Sequence, residues 1–358
     1  MKKIRYAVVG TGWISQIAFM PSIAQTGNSE ITAIVSGNRA NAEKLASFYG
    51  IEHIYAYDQY DEMLNSGHVD AVYIALPNSL HADYAIRAAK AGVHALVEKP
   101  LAVTAAECEA MIAATGKAGV KLMTAYRLHT EPGTLEAIDI IRRGEIGEPR
   151  LFSSVFSFPV AAGNHRLKAE HWGGPLQDIG VYCVNAMRHL LGAEPTEVIA
   201  AIAARPGDAR FTEVEEMVSA TLRFPQERIA QFVASFGGDD IDQYRVVGTE
   251  GQIEVSSGYR FDRPITVTLT KGGKTVEKAF PQYDHFSGQA HYFSDCILNG
   301  IAPEPDGGDG LADVAIMRAI EESAKTGRAQ KITLPERASH PVKSMAREFP
   351  MAEKRLML

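Results

Sequence analysis

The sequence predicts an α/β protein with two domains: a doubly wound parallel sheet, followed by an α+β domain with a mainly antiparallel sheet. In the first third of the chain, short apolar runs alternate with helical patterns of roughly 10–15 residues, an order typical of parallel strands joined by crossover helices. From Glu197 onward, strand-like runs follow one another without helices, which indicates antiparallel pairing. Glycine and proline separate many of these segments and mark their turns.

The elements of the first domain follow from the apolar pattern. Strands are predicted where short runs are mostly rich in β-branched residues, at Ile4–Val9, Ile31–Val35, Val69–Ala75, Val93–Val97 and Val120–Met123. Helical patterns lie between them, at Trp13–Gln25, Ala40–Tyr49, Leu80–Ala91 and Thr104–Ala118. The runs at Val69–Ala75 and Val93–Val97 barely alternate, as expected when helices cover both faces of a sheet. We assign residues 1–123 to this domain.

The second domain begins with helical segments and continues as a series of strands. A helix is predicted at Pro132–Arg143, a strand at Leu151–Phe158 and a helix near Leu176–Leu191. Strand-like runs follow at Glu197–Ala203, Glu215–Phe224, Ile229–Phe236, Tyr244–Val247, Gln252–Ser256, Ile265–Leu269 and Thr275–Phe280. A polar tail comes after two further predicted helices, His285–Leu298 and Gly310–Lys325. We assign residues 124–335 to this domain and 336–358 to the tail.

Composition and charge limit the classes of function. With 358 residues, 46% of them hydrophobic and 22% charged, the chain has room for two domains with ordinary cores. The net charge of −7 lacks the basic excess typical of proteins that bind nucleic acid or anionic membranes, and no apolar run reaches the ~18 residues of a membrane helix. The three cysteines are odd in number and far apart, which predicts a reduced, cytoplasmic protein. The eleven histidines show no metal-ligand spacing, so we expect no metal.

A glycine-rich turn follows the first strand and opens the first helix. Two glycines at this spacing allow a tight turn and a close approach of backbone N–H groups to a pyrophosphate, while the helix N-terminus adds a partial positive charge. Ser15 replaces the third glycine of the fingerprint and is small enough for packing of helix on strand. The position of the turn at the first strand–helix junction predicts a Rossmann dinucleotide-binding domain. The residues predicted to hold the cofactor here are Gly10, Thr11, Gly12, Trp13 and Ile14.

The end of the second strand indicates which dinucleotide is bound. An acidic residue there would accept hydrogen bonds from the ribose 2′-hydroxyl and repel a 2′-phosphate. Glu30 precedes the apolar run and so lies at the wrong end of the strand. The carboxyl end instead contains Ser36, Gly37, Asn38 and Arg39, whose polar groups suit a phosphate. The sequence therefore predicts NADP, with NAD as the alternative, and a solvated arginine without a cofactor role is the other interpretation of Arg39.

Two further motifs carry candidate chemistry. Glu98-Lys99-Pro100 comes directly after the strand Val93–Val97, at the edge where open α/β sheets bind ligands. Asp178 and Tyr182 follow a Gly-Gly-Pro turn and are four residues apart, so on an α-helix they share a face. Free tyrosine titrates at about 10, so a tyrosine base needs a nearby positive charge such as a lysine. The alternatives are a surface Glu-Lys pair and a tyrosine that only packs in the core.

These motifs resemble those of the Gfo/Idh/MocA oxidoreductase family, and within it the subgroup of glucose–fructose oxidoreductase and related NADP-dependent aldose dehydrogenases. The similarity extends from the Gly10 turn to about Lys331. Its most specific part is Glu98-Lys99-Pro100, and Pro77-Asn78-Ser79-Leu80-His81 and Tyr126-Arg127 also match segments of the family. Tyr182 stands where many family members have a histidine, as in the sugar-oxidising subgroup.

The resemblance implies a set of binding and catalytic residues. Beyond the glycine turn and residues 36–39, the cofactor is expected to contact Leu76, Pro77, Asn78, His81, Glu98, Lys99 and Arg127. The substrate is expected to contact Lys99, Arg166, Lys168, Asp178, Tyr182, Tyr283 and His285. In the implied reaction, Tyr182 takes the proton of the anomeric hydroxyl of a sugar while hydride passes from C1 to the nicotinamide. Lys99 favours the deprotonated tyrosine, and Asp178 positions sugar hydroxyls.

The resemblance also implies an open second-domain sheet that forms a homodimer or homotetramer. Unlike glucose–fructose oxidoreductase, the chain is expected to have neither an export signal, because its first apolar run ends at Gly10, nor a cofactor-retaining arm. We therefore expect a cytoplasmic protein with exchangeable cofactor. Two other functions fit the same fold: a glycosidase assisted by bound nicotinamide, and a dinucleotide-binding regulator without catalysis. Retention of Lys99, Asp178 and Tyr182 favours the enzyme over the regulator, while the sugar and the preferred direction of reaction stay open.

Overall fold

The chain folds into two compact units. The computed structural model describes residues 2–358. The first unit comprises the N-terminal part of the chain as far as Glu131, together with Tyr283–Leu311 and Arg347–Leu358. The second unit comprises Pro132–Gln282 and Ala312–Ala346.

The first unit is built on a six-stranded sheet in which all neighbouring strands are parallel. Its strands are β1 Ile4–Val9, β2 Ser29–Val35, β3 His53–Tyr55, β4 Ala71–Ile74, β5 His94–Val97 and β6 Leu122–Thr124. Their order is β3-β2-β1-β4-β5-β6, so the direction of winding reverses beside β1, where doubly wound sheets bind ligands. The predicted Rossmann-type sheet is confirmed. The sequence does not predict β3, because a run of three residues is too short to show a period.

Helices connect these strands, and local signals explain where they begin and end. They are α1 Met20–Ile23, α2 Arg39–Tyr49, α3 Tyr60–Leu64, α4 His81–Lys90 and α5 Ala105–Ala118. At the start of α5, Thr104 and Glu107 form a capping box, and Gly119 ends the helix in the left-handed conformation. The predicted helix Trp13–Gln25 differs in the structure, where a π-helical turn at Ser15–Phe19 precedes α1.

The second unit contains an open nine-stranded sheet that packs against α6 Pro132–Arg142 and α7 Val181–Leu191. Its strands are β7 Pro149–Ser157, β8 Glu197–Ala203, β9 Met217–Phe224, β10 Arg228–Ser235, β11 Ile241–Gly248, β12 Gly251–Ser256, β13 Thr266–Lys271, β14 Lys274–Ala279 and β15 Gln330–Lys331. The order is β14-β13-β12-β11-β7-β10-β9-β8-β15. Only β7 and β10 pair in parallel among these strands, so the predicted open, mainly antiparallel sheet is confirmed.

One face of this second sheet is buried and the other is exposed. Along β7, Phe152 and Phe156 are buried, whereas Leu151 is exposed, as the alternation of side chains in a strand requires. The strands β10 and β11, which pair with β7 on either side, add Val233 and Ile241 to the exposed face. The unit therefore presents a partly apolar sheet surface.

Two long helices follow the second sheet in the chain. They are α8 His285–Leu298, in the first unit, and α9 Gly307–Thr326, which starts in the first unit and continues in the second. Long-range contacts explain the place of α8, because Asn28 donates to Asp295 Oδ1 at 2.9 Å and Tyr6 Oη lies 2.8 Å from Ser294 Oγ. Both units combine segments that are distant in the chain, and the domain boundaries expected at residues 123 and 335 stay predictions. Among residues 2–358, no helix combines the length and apolar character that a membrane crossing requires.

Candidate active site

The predicted phosphate-binding turn lies between β1 and the π-helical turn. Gly10 has a φ of 93°, and a Cβ on it would lie 2.6 Å from Ala75 O, so only glycine fits. Apart from its chain neighbours, no atom of the described residues lies within 4 Å of a Cβ built on Gly12, so the turn is open to a ligand there. Ser15 is buried, and its Oγ donates to Gly10 O at 2.7 Å. Ser15, which replaces the third glycine, thus fixes the turn. The neighbouring residues Thr11, Trp13 and Ile14 are at least partly exposed.

The end of β2 lies against the same turn. Thr11 Oγ1 is 2.7 Å from Ser36 Oγ, so two predicted cofactor residues are in direct contact. Asn38 caps α2 by accepting a hydrogen bond from the backbone of Asn41 at 3.0 Å. Arg39 pairs with Glu43 at 2.8 Å, and their side chains are 64% and 57% exposed. Such an exposed i,i+4 pair contributes only about 0.3–0.5 kcal/mol, so a phosphate can replace Glu43 as the partner of Arg39.

His81 joins the loops that follow β4 and β5. Its two ring nitrogens lie 2.9 Å from Leu76 O and 2.9 Å from Pro100 O, and its side chain has no exposed surface. Burial lowers the pKa of His81, although the carbonyls around the ring oppose this effect. His81 therefore fixes the two loops relative to each other, and these loops also carry Pro77, Asn78 and Lys99. A direct contact between His81 and a cofactor stays a prediction.

Glu98 and Lys99 follow β5 at the carboxyl edge of the parallel sheet. Tyr73 Oη donates to Glu98 Oε1 at 2.6 Å, and the backbone N–H of Lys99 donates to Glu98 Oε2 at 3.3 Å. Burial raises the pKa of Glu98 despite the nearby positive charges of Lys99 and Arg127. Lys99 is partly exposed on a loop that Glu98 and His81 hold in place. Lys99 thus lies at the edge of the sheet where open parallel sheets bind ligands.

Arg127 is buried in the first unit and is held by His285. Arg127 is 4% exposed, and its Nη1 donates to His285 Nδ1 at 2.9 Å. Burial, and then the Arg127 charge, hold the pKa of His285 well below its ordinary value, so the ring is neutral and accepts at Nδ1. Tyr283 makes a separate contact, in which its Oη donates to Glu348 Oε2 at 3.2 Å. Two residues expected to contact substrate therefore lie in the same unit as the phosphate-binding turn.

In the second unit, a glycine turn leads into the segment that carries Asp178 and Tyr182. A Cβ on Gly173 would overlap Arg166 O, and Gly174 has a φ of 122°, so the turn requires both glycines. Arg166 Nε lies 2.8 Å from Asp178 Oδ2, which makes these two predicted substrate residues an ion pair. Leu176–Gly180 form a π-helical turn before α7. Such a turn closes i→i+5 hydrogen bonds in place of the expected i→i+4 bonds, and a shared face for Asp178 and Tyr182 stays a prediction.

Tyr182 packs among aromatic side chains. Its ring centroid lies 6.2 Å from that of Phe156 and 6.3 Å from that of Tyr259, and 8% of its surface is exposed. The neighbouring Cys183 is buried and accepts a hydrogen bond from Ser154 Oγ at 3.5 Å. Burial raises the pKa of the Cys183 thiol to about 12, so this thiol is no nucleophile at neutral pH. A reactive role for Tyr182 stays a prediction, and the neighbouring Cys183 does not compete for it.

Lys168 lies at the surface of the second unit. Its Nζ is 2.6 Å from Glu213 Oε1, and this carboxylate raises the pKa of Lys168. The structure thus pairs Lys168 with Glu213, whereas it pairs the predicted substrate residues Arg166 and Asp178 with each other. Contact of Lys168 with a substrate stays a prediction.

Comparison with known proteins identifies the family. Residues 4–126 match the family model GFO_IDH_MocA, which is described as an oxidoreductase family with an NAD-binding Rossmann fold. Residues 134–254 match the GFO/IDH/MocA C-terminal domain. The chain belongs to the GFO/IDH/MocA oxidoreductase family. The resemblance stated from the motifs is confirmed.

Similar members of the GFO/IDH/MocA family are named as sugar-converting enzymes. The chain is 32% identical over 331 residues to the NADP(+) D-xylose 1-dehydrogenase of Haloarcula marismortui. This match covers 90% of this chain and 91% of that protein. An aldose-aldose oxidoreductase from Caulobacter crescentus, solved with glycerol, is 36% identical, covers 92% of this chain and 100% of its own, and has a TM-score of 0.88. A 3-ketoreductase from Actinomadura kijaniata, solved with NADP and TDP-benzene, is 27% identical, covers 90% of this chain and 98% of its own, and has a TM-score of 0.82.

Some residues that support the GFO/IDH/MocA site are not predicted by the sequence. Trp172 Nε1 and Gln177 Nε2 each donate to Glu321 Oε1 at 2.7 Å, which anchors both sides of the Gly-Gly-Pro turn. In the first unit, Gln16 Nε2 donates to Thr11 O at 2.7 Å. Trp172, Gln177 and Gln16 flank glycine turns, which is the only local signal for them. Glu321 has no such signal, because it lies far from the turn in the chain.

Proposed function

We propose that this chain is an NADP-dependent oxidoreductase that acts on a sugar, oxidising C1 of an aldose to an aldonolactone or carrying out the reverse reduction. The observation that carries the proposal is a loop lysine after β5, Lys99, together with the aromatic-packed Tyr182 at the start of α7, in a GFO/IDH/MocA chain. The 32% identity to a D-xylose 1-dehydrogenase, over nearly the whole of both chains, supports an aldose as the substrate class.

The residues around the Gly10 turn fit NADP. The open space beside Gly12 admits a pyrophosphate to the backbone N–H groups and the helix N-terminus. Ser36, Asn38 and Arg39 offer hydroxyl, amide and guanidinium groups to a 2′-phosphate, and no acidic residue ends β2. The NADP named for two of the similar proteins supports the same choice. When bound, the nicotinamide supplies the donor or acceptor of hydride.

The proposal assigns the remaining roles to individual side chains. Tyr182 is the proposed acid–base residue, which removes the proton of the C1 hydroxyl in oxidation and returns it in reduction. Lys99 is its proposed partner, because an ammonium stabilises a phenolate and donates a hydrogen bond to the substrate hydroxyl. Asp178, paired with Arg166, is proposed to accept hydrogen bonds from the other sugar hydroxyls. Lys168, Tyr283 and His285 stay proposed substrate contacts.

Reduced-nicotinamide absorbance tests the proposal directly. We expect the wild type to reduce NADP with at least one of xylose, glucose and galactose, and to reduce it more efficiently than NAD. Lys99→Ala and Tyr182→Phe are expected to lower kcat by about 10²–10⁴-fold, the range typical of a lost acid–base group. Lys90→Ala, which changes an exposed lysine at the end of α4, is the control and should keep wild-type kcat.

Two results would overturn this assignment. Cleavage of aryl glycosides without net cofactor reduction would identify a nicotinamide-assisted glycosidase. Tight NADP binding without turnover of any sugar, in either direction, would identify a dinucleotide-binding regulator.

We further propose that the exposed face of the second sheet joins copies of this chain into a homodimer or homotetramer. Its support is the set of exposed apolar side chains on one face of the sheet, which include Leu151, Ile199, Val233 and Ile241. Several exposed apolar side chains on one sheet face are typical of an interaction surface. The cytoplasmic location stays a prediction.

A further inference from the structure

The last residues of the chain form an extended segment along the first unit, here called the C-terminal strap (residues 347–358). The strap has no helix or strand of its own, and several of its backbone groups form hydrogen bonds with other segments. It begins where the backbone N–H of Arg347 donates to Thr130 O at 3.0 Å. Asp284 forms two hydrogen bonds with the strap. The backbone N–H of Asp284 donates to Phe349 O at 2.8 Å, and Asp284 Oδ2 accepts from the backbone N–H of Ala352 at 3.3 Å.

The strap continues toward the phosphate-binding turn. Gln25 donates to Pro350 O at 2.8 Å, and the backbone N–H of Leu356 donates to Tyr49 Oη at 3.4 Å. The backbone N–H of Leu358 finally donates to Gln16 Oε1 at 2.8 Å. The side chain of Leu358 is 44% exposed, so this end is held by a backbone hydrogen bond more than by apolar burial.

Gln16 connects the strap to the turn. Its side chain is buried, with Oε1 accepting from Leu358 and Nε2 donating to Thr11 O at 2.7 Å. Thr11 is the central residue of the Gly10–Gly12 turn, and its hydroxyl contacts Ser36 at the end of β2. One amide side chain therefore couples the end of the strap to the residues that we assign to NADP.

We propose that the C-terminal strap holds the phosphate-binding turn in its binding conformation through Gln16, and thereby slows the release of NADP. This inference rests on the proposed function for the identity of the ligand. The physical reason is preorganisation: a turn whose backbone is already fixed loses less conformational entropy when a dinucleotide binds. Without the strap, Gln16 Oε1 loses its partner and the side chain is free to rotate away from Thr11 O.

Matched variants separate the two hydrogen bonds of Gln16. Leu358→Pro removes the backbone donor of the strap, because proline has no N–H, whereas Leu358→Ala keeps it. Gln16→Glu keeps an acceptor for Leu358 but cannot donate to Thr11 O. The readout is the rate at which NADPH leaves the enzyme, followed by stopped-flow fluorescence after mixing with excess NADP.

We expect Leu358→Pro, Gln16→Glu and deletion of residues 356–358 each to raise the NADPH release rate about fivefold, the factor that corresponds to one ordinary hydrogen bond. Leu358→Ala should release NADPH at the wild-type rate. In a Gln16→Leu background, the deletion should have no additional effect, because both changes break the same connection. An equal release rate for Leu358→Pro and Leu358→Ala, or a deletion that adds its full effect to Gln16→Leu, would overturn the proposal.

Hydrogen exchange distinguishes a failure of this inference from a failure of the proposed function. If the wild type does not bind NADPH, the cofactor assignment is wrong, but the connection can still be measured in the free protein. The deletion should then speed amide exchange at residues 11–13 while exchange in β4 and β5 stays unchanged. Equal exchange at residues 11–13 with and without residues 356–358 would show that the strap does not order the turn.

Discussion

At the scale of single residues, the choice between NADP and NAD depends on Arg39. Its guanidinium is already oriented by Glu43 and by Ile54 O, which accepts from Nη1 at 3.1 Å. Arg39→Ala should raise the Kd of NADP at least about tenfold, because charge-assisted hydrogen bonds contribute about 1.5–3 kcal/mol, and should leave the Kd of NAD unchanged. Calorimetric titration of both cofactors measures the ratio. Glu43→Ala is the control, which frees Arg39 and should bind NADP at least as tightly as the wild type.

Buried histidines give the protein a predictable loss of stability in mild acid. Burial lowers the pKa values of His81 and His285 in the folded state, whereas in the unfolded chain a histidine titrates at about 6.5. The unfolded state therefore binds more protons, and the stability due to these groups is present above about pH 6.5 and lost as the pH falls toward their folded values. Each histidine can lower the free energy of unfolding by up to about 1.4 kcal/mol for each pH unit of acidification in this range.

Urea unfolding at about pH 7.5, 6.5 and 5.5 checks this prediction. The free energy of unfolding should fall between the two lower values. His285→Gln should make that fall shallower, because one proton fewer is taken up on unfolding. His68→Gln changes an exposed histidine and should follow the wild-type curve. A curve for His285→Gln that is parallel to the wild type would show that His285 is not the group responsible.

At the scale of elements, α7 depends on a buried ion-pair cluster for its position. Arg188 is fully buried, with Nη1 2.6 Å from Asp313 Oδ1 and Nε 2.6 Å from Glu194 Oε2. Asn185 donates to Asp313 Oδ2 at 2.9 Å. These contacts fix α7 to α9 within two turns of Tyr182. The cluster thus supports the proposed acid–base residue without touching the reacting atoms.

Replacement of Asp313 tests this support. Asp313→Ala leaves a buried guanidinium with one carboxylate fewer and should lower the free energy of unfolding by about 3–5 kcal/mol. It should also lower kcat while the Kd of NADP stays near the wild-type value, because the phosphate-binding turn lies in the other unit. Asp313→Asn keeps an acceptor and should lose less stability. Wild-type unfolding of Asp313→Ala would contradict the assigned role.

The elements also show why part of the fold could be predicted from the sequence and part could not. α8 lies at the predicted residues because a local signal sets its start, where Asp284 accepts from the backbone of Phe286 and Ser287. The π-helical turns Ser15–Phe19 and Leu176–Gly180 were not predictable, because apolar periodicity does not distinguish i→i+5 from i→i+4 bonding. Both follow glycine turns that carry site residues.

At the scale of the whole molecule, the same distinction separates the proposed site residues from the residues that support them. The glycine turn and the Lys99 and Tyr182 motifs are local patterns, so the sequence alone identifies them as candidates. The supports depend on residues that are far away in the chain, such as Leu358 for Gln16, 342 residues apart. No local pattern encodes such pairs, which is also why the place of α8 and of the C-terminal strap in the first unit was not predicted.

The exposed face of the second sheet leads to a prediction about assembly. A shallow groove of about 430 Å³ crosses this face, with Val233 beside polar residues such as Gln243 and Arg245. If copies of the chain pair through it, a carboxylate introduced at its centre must lose its water on association, and such desolvation costs several kcal/mol. Val233→Glu should therefore convert the oligomer to monomer, as measured by size-exclusion chromatography with light scattering. Ile301→Glu, at a residue of the first unit that is 57% exposed, should keep the wild-type mass, and an oligomeric Val233→Glu would exclude this face as the interface.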